Sequence, residues 1–208
     1  MLLLTLLAVT SALTPTVDRT IAARSRLVAA LDNAREDREI VAAIDAIEAA
    51  TPFKGFASED FVSFAVAGDW QLDYATRRDS TNLTKSYVRV RDISQTVEKD
   101  ASRTRVAWTL PTTGDAGTLE VRSTMRFQAE PRPHHVLRLD GHFLKPLHKL
   151  SAEPTDVVNH VAASVPYELF HPDRTVIELL YVDPELKILR CTRGTTDPVL
   201  TCQVWRRQ

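Results

Sequence analysis

Gly68-Asp69-Trp70-Gln71-Leu72-Asp73-Tyr74 is the stretch that decides the fold. Trp70, Leu72 and Tyr74 fall on one parity, and Asp69, Gln71 and Asp73 on the other. Period-two alternation entered through a glycine predicts a strand with one buried face and one wet face.

Similar segments follow it. Thr104 to Leu110 carries Val106, Trp108 and Leu110 in phase, and Leu119 to Phe127 carries Leu119, Val121, Met125 and Phe127. The composition of residues 111–117 between them predicts a hairpin turn. His135 to Phe143 places Leu137, Leu139 and Phe143 together, and strands are also predicted over 177–181, 186–192 and 199–206. Residues 87–97 alternate too, but Val90 and Ile93 fall on opposite parities, which predicts a bulge near Arg91-Asp92. About eight mostly alternating strands with short connections predict antiparallel pairing. Closing such a sheet removes its edges, so the predicted class is mainly β, a lipocalin-like antiparallel barrel. A two-sheet sandwich is the alternative.

Helical spacing precedes the strands. Leu27, Val28 and Leu31 continue one helical pattern, and Ile40, Ile44 and Ile47 form another that ends at Thr51-Pro52. Residues 53–67, with Phe53, Phe56, Phe61 and Phe64, read as a loop and short turn capping the domain. Residues 146–166 read as irregular or partly helical.

Residues 1–12 are apolar, too short to span a bilayer but long enough for a signal-peptide core, with Thr10-Ser11-Ala12 offering small residues for cleavage. Leu13 to Leu31 then carries Arg19, Arg24 and Arg26 with Asp18 as its only acid, which is transit-peptide chemistry. The expected organisation is a leader over 1–25 and one barrel domain over 26–208. The Asn82-Leu83-Thr84 sequon fits plain secretion instead.

Of 208 residues, 44% are apolar and 25% charged, with a formal net charge of −1, so no global basic field exists to hold nucleic acid. Arg77-Arg78 and Arg206-Arg207 read as solvated surface. Cys191 and Cys202 sit on different phases of their strands, which favours two unpaired thiols over a cross-strand disulfide. His134, His135, His142 and His148 read as surface histidines; adjacent His134 and His135 point to opposite faces of a strand and cannot share a metal. No cofactor motif, nucleophile elbow or phosphate loop is present. Asp183 reads as a turn residue before Pro184, with an acid–base role beside Tyr181 as the alternative.

Four segments resemble the plastid lipid-associated proteins, or fibrillins: residues 44–52, ending Ala49-Ala50-Thr51-Pro52; residues 68–76; Asp92-Ile93-Ser94-Gln95-Thr96-Val97; and residues 181–190, containing Tyr181-Val182-Asp183-Pro184-Glu185-Leu186. The resemblance runs from about Leu27 to the carboxyl terminus. Thr51 stands where the family usually has Asn, Val182 replaces a Leu, Lys187 replaces an Arg, and residues 142–171 have no clear counterpart. The resemblance implies a lipocalin-like barrel at plastoglobule or thylakoid surfaces that binds carotenoids, prenylquinones or other lipids. The leader resembles the bipartite leader of algae whose plastids carry extra membranes. A lipid or isoprenoid ligand, a peripheral membrane or lipid-droplet surface, and no nucleic acid are the partners expected.

The expected pocket or core aromatics are Trp70, Tyr74, Trp108, Phe127, Phe143 and Tyr181. Arg190, in phase with Leu186 and Ile188, is expected to point inward onto Trp70 as a cation–π pair or to serve a structural role alone. Gln95, in phase with Ile93 and Val97, either hydrogen-bonds backbone near a bend or meets a ligand's polar head. Three functions stay open: a lipid carrier with an apolar interior, an enzyme of lipid or isoprenoid metabolism with inward polar groups, and a scaffold whose barrel is packed solid.

Overall fold

The computed structural model describes residues 18–33, 35–50, 59–76, 88–128, 134–193 and 199–208. Most of the expected leader, the Phe53 and Phe56 loop, Arg77-Arg78, the Asn82 sequon and the turn before Pro198 lie outside them. The chain divides into two compact units, residues 1–54 and 55–208.

The first unit is a helical pair. Helix α1 covers residues 18–32 and α2 covers Asp37–Ala50. Ala23, Leu27 and Ala30 are buried along α1, and Ile40, Ala43, Ile44 and Ile47 along α2, the i, i+3, i+4 spacing of one helical face. Asp37 and Glu39 sit in the first turn of α2, where the helix dipole favours negative charge. Thr20 Oγ1 donates to Ala50 O at 3.3 Å, joining the start of α1 to the end of α2. Both helices begin earlier than the apolar spacing alone predicts.

The second unit is a closed barrel of eight antiparallel strands in sequence order. They are β1 Gly68–Ala75, β2 Arg89–Val97, β3 Ala101–Thr109, β4 Ala116–Gln128, β5 His134–Pro146, β6 Thr175–Val182, β7 Leu186–Arg193 and β8 Val199–Arg207. β1 pairs with both β2 and β8, which closes the cylinder. The thinnest seam is β5–β6, where His134 pairs with Glu178 and His135 with Ile177.

Helices fill in around the strands. The segment expected as a short turn is a two-turn helix, α3 Glu59–Val66, whose Val62 and Val66 pack into the core with Trp70. Apolar residues four apart select helix there. The long β5–β6 connection holds α4 Pro154–Ser164, with proline in its first turn, then α5 Tyr167–Phe170 and a 3-10 turn at Pro172–Arg174. Val157 and Val161 of α4 are fully buried against Trp108, Leu119 and Val121. The barrel therefore has α3 over the end where β1 begins and α4 against the core at the other.

Register shifts matter for the side chains. They fall between Leu72 and Tyr74, between Val90 and Asp92, at Asp140 opposite the Arg122–Ser123 step, and between Leu179 and Tyr181. The second is the bulge expected near Arg91-Asp92. Each extra residue reverses which parity faces the interior.

Candidate functional site

Trp70 opens β1 fully buried, and its indole Nε1 donates to Val66 O at 2.9 Å. That satisfies a carbonyl at the end of α3 that has no intrahelical partner. Arg207 Nη2 donates to Ala65 O and Ala67 O at 3.1 and 3.0 Å, while its guanidinium carbon lies 4.6 Å from the Trp70 ring centroid. A cation at a helix C-terminus is favourable. Gly68 has φ 126°, and a Cβ there would sit 3.3 Å from Arg207 Nη1, so glycine is needed both for the backbone and for the guanidinium. The arginine on Trp70 is thus Arg207, not Arg190, and Arg207 is no idle surface charge. Arg190 pairs across β6–β7 with Glu178 at 4.0 Å. Its parity, shared with Leu186 and Ile188, is the outer one, because Leu189 and Cys191 hold the core side.

Lys187 takes the inner position beside Trp70. It is 2% exposed, its Nζ lies 4.7 Å from the Trp70 centroid and 5.2 Å from that of Trp205, and it donates to Gln95 Oε1 at 2.8 Å. Among the described residues it makes no ion pair. Burial, and next the Arg207 charge, push its pKa well below the ordinary lysine value. Taking an ammonium out of water costs several kcal/mol. A desolvated cation–π contact returns about 2 kcal/mol. The two indoles and one amide leave that cost only partly offset.

Gln95, Lys187, Ser102 and His135 meet Met125 and Leu137 around an internal cavity of about 30 Å³. Gln95 Nε2 also reaches Thr104 Oγ1 at 3.3 Å, so its partners are side chains, not the backbone expected. His135 is buried, a correction to its reading as a surface residue, and its Nδ1 has no hydrogen-bond partner. Burial first, then Lys187 and His134, lower its pKa to about 4.

Other inward positions among the described residues are taken up by contacts within the chain itself. Buried Glu168 of α5 accepts from Thr201 Oγ1 at 2.8 Å and Gln203 Nε2 at 3.0 Å, and Gln203 Oε1 accepts from Trp205 Nε1 at 2.9 Å. His142 stacks on Phe170 at 4.0 Å and donates Nε2–H to Phe170 O at 2.8 Å. Trp108 and Phe127 are core, not free pocket walls. Cys191 and Cys202 are not joined in a disulfide, and burial pushes the Cys191 thiol well up. Asp183 is a turn residue: its Oδ1 accepts from the backbone N–H of Glu185 and Leu186, each at 2.7 Å.

Three expected pocket aromatics are on the outer wall. Tyr74 pairs with Val204 beyond the β1 bulge, and Tyr181 pairs with Ile188 beyond the β6 bulge. The extra residue at Asp140 turns Leu144 inward and Phe143 outward, opposite Glu120. Phe143 is 40% exposed. The interior thus keeps Trp70, Gln95, Trp108 and Phe127 of the expected set, and only Gln95 borders the internal cavity.

Around Phe143 the wall is basic. Glu120 accepts from Arg122 Nε at 2.5 Å, Lys145 Nζ at 3.0 Å and Arg105 Nε at 3.3 Å, with Arg103 Nε at 3.7 Å. Glu120 is 1% exposed beneath these cations, whereas each of them is about half exposed. Burial opposes ionisation, but the hydrogen bonds from Lys145, Arg122 and Arg105 outweigh it and hold the pKa down at about 2. Among the described residues, one carboxylate against four cations leaves three positive charges uncompensated. Arg122 also lies over the Phe143 ring at 4.3 Å. A separate cleft of about 580 Å³ opens beside the β3–β4 turn, lined by residues 89–91, Thr109, Leu110, Pro111 and Gly114.

Among solved structures, the siderocalin Ex-FABP, described as functioning through dual ligand specificities, aligns with 69% of this chain and 74% of its own length. Identity is 12% and the TM-score 0.37, so the barrel rests on its own strand pairing rather than on that likeness. No curated protein matches the chain. The PAP_fibrillin family pattern matches residues 19–198, across both the helical pair and the barrel, and the chain belongs to that family of plastid lipid-associated proteins.

Proposed function

We propose that this protein holds carotenoids, prenylquinones or other lipids at plastoglobule or thylakoid surfaces, and that it meets them with the outside of its barrel. The observation that carries this is the contrast between inside and outside. Small-molecule pockets run to about 300–1,000 Å³. The internal cavity is about 30 Å³. The outer wall over β3–β5 instead offers three uncompensated positive charges beside exposed Phe143 and Leu147, a pairing that suits an anionic lipid interface. No described helix is long and apolar enough to cross a membrane.

The 580 Å³ cleft favours a second reading, in which a single amphiphile seats between Val90 and Leu110 with its polar end near Arg89 or Arg91. The first reading is non-catalytic; neither needs a cofactor. Plastid delivery rests on the leader over 1–25, of which residues 18–25 belong to α1. Lipid extraction and mass analysis of the protein purified from its own organelle tests the function. Carotenoid, quinone or other lipid in the extract supports it, and a lipid-free protein removes it. A fluorescent fusion of the full chain found outside plastids removes the location.

A further inference from the structure

The polar groups on the internal cavity have no role in meeting lipid at the outer wall. Lys187 is a buried amine whose described contacts are two indole faces and one amide oxygen. Two of the three N–H donors of an ammonium remain after the bond to Gln95. The lumen's buried carboxylate, Glu168, is committed to Thr201 and Gln203. His135 Nδ1, buried on the same cavity, has no hydrogen-bond partner, and Ser102 brings a hydroxyl to it. Buried polar atoms are ordinarily satisfied, so an amine with donors to spare and an orphaned ring nitrogen on one cavity need a common explanation.

We propose that this cavity binds one small monovalent anion, of the class of chloride, nitrate or formate, which is the counter-ion of Lys187. One water needs about 10–15 Å³ of such space. A cavity of about 30 Å³ therefore takes a monatomic or planar triatomic-to-tetratomic ion and excludes a phosphate ester or a lipid head with its chain. Lys187, protonated as the anion enters, supplies the charge and its N–H donors; Ser102 and the His135 ring complete the polar lining. Met125, Leu137 and Leu189 keep the remaining wall apolar, where an ion pair is least screened.

The test uses the full chain in sodium gluconate buffer, titrated with sodium chloride, nitrate or formate at constant ionic strength. Thermal midpoint is one readout. The expected result is a rise that starts near the Kd and then grows logarithmically, by roughly 3–5 °C for each further tenfold of anion. Lys187→Arg keeps that response and Lys187→Gln loses it. Quenching of tryptophan fluorescence by bromide, through Trp70 and Trp205, is the second readout; a saturating component, competed by chloride, is expected in the wild-type chain. The proposal is overturned by an equal anion response in Lys187→Gln, or by a midpoint that follows ionic strength alone. Should Lys187→Gln fail to fold, purely linear bromide quenching of the wild-type chain, insensitive to chloride, overturns it as well.

Discussion

The two faces of the barrel wall handle positive charge in opposite ways. Outside, four half-exposed cations surround one buried carboxylate at Glu120. Inside, Lys187 is wedged between Trp70 and Trp205 with an amide oxygen for company. Cross-strand geometry explains the outer arrangement. Arg105 sits opposite Glu120, and Arg103 opposite Arg122. The second pair is like-charged and repulsive by itself. Glu120 holds both arginines, so the wall tolerates a charge density that water continues to screen. The inner cation has no such screening, and aromatic faces are the part of its surroundings that sequence supplies. Water, more than composition, separates the two environments.

The largest break in this comparison is Trp70→Ala. It removes the platform under Lys187 and Arg207 and the indole bond to α3 together. An expected loss of about 3–5 kcal/mol is read from the urea midpoint. A loss below 1 kcal/mol would show that the inner stack is not what fixes that end of the barrel. On the outer wall, Glu120→Gln leaves four cations facing one another and should cost on the order of 2–3 kcal/mol, with part of the loss recovered in high salt.

Acid titration separates the two regions by pH window. His135 has a folded pKa of about 4. Its unfolded value is about 6.5. The unfolded chain therefore binds a proton that the folded one refuses, and stability present above pH 6.5 is lost as pH falls towards 4, on the order of 3 kcal/mol. Glu120 has a folded value of about 2. Its contribution persists above the unfolded value of about 4.3 and disappears between there and about pH 2. Unfolding measured between pH 7 and 4 should flatten in His135→Phe and keep its slope in Glu120→Gln.

Two smaller effects sharpen the contrast. Gly117→Ala would set a Cβ 2.5 Å from Lys145 O and 2.8 Å from both Pro146 Cα and Trp108 Cζ2, contacts that backbone and a buried indole cannot relieve. A thermal-midpoint drop equivalent to about 1–3 kcal/mol is expected. Arg138→Ala, at an exposed pair with Asp140, should change stability by less than about 0.5 kcal/mol.

The sequence displays the barrel clearly because alternation survives in β3 and β4 and over Trp70 to Leu72 of β1. Gly68-x-Trp70 points to the closed end for a physical reason: the glycine makes room for a guanidinium over the indole. Which arginine that is could not be read. Residues 186–191 run Leu-Lys-Ile-Leu-Arg-Cys, with apolar side chains on both parities, so phase alone assigned Arg190 where Lys187 faces inward. Bulges did the rest. Single extra residues near Asp73, Asp140 and Leu180 turned Tyr74, Phe143 and Tyr181 outward, and each is invisible to a two-residue period. His135 was legible in principle, since it shares parity with Leu137 and Leu139. The basic outer wall was hidden because its residues come from three strands and the whole-chain charge is −1.

Flotation of the full chain with vesicles bearing anionic lipid tests most directly whether the wall, and not the lumen, meets lipid. Wild type should float, release as salt rises, and stay down with zwitterionic vesicles; Arg103→Gln with Lys145→Gln, which keeps Arg105 and Arg122 on Glu120, should stay down; Leu137→Phe, which takes up the internal cavity, should float like wild type. Undiminished flotation of the double variant together with loss in Leu137→Phe would contradict it.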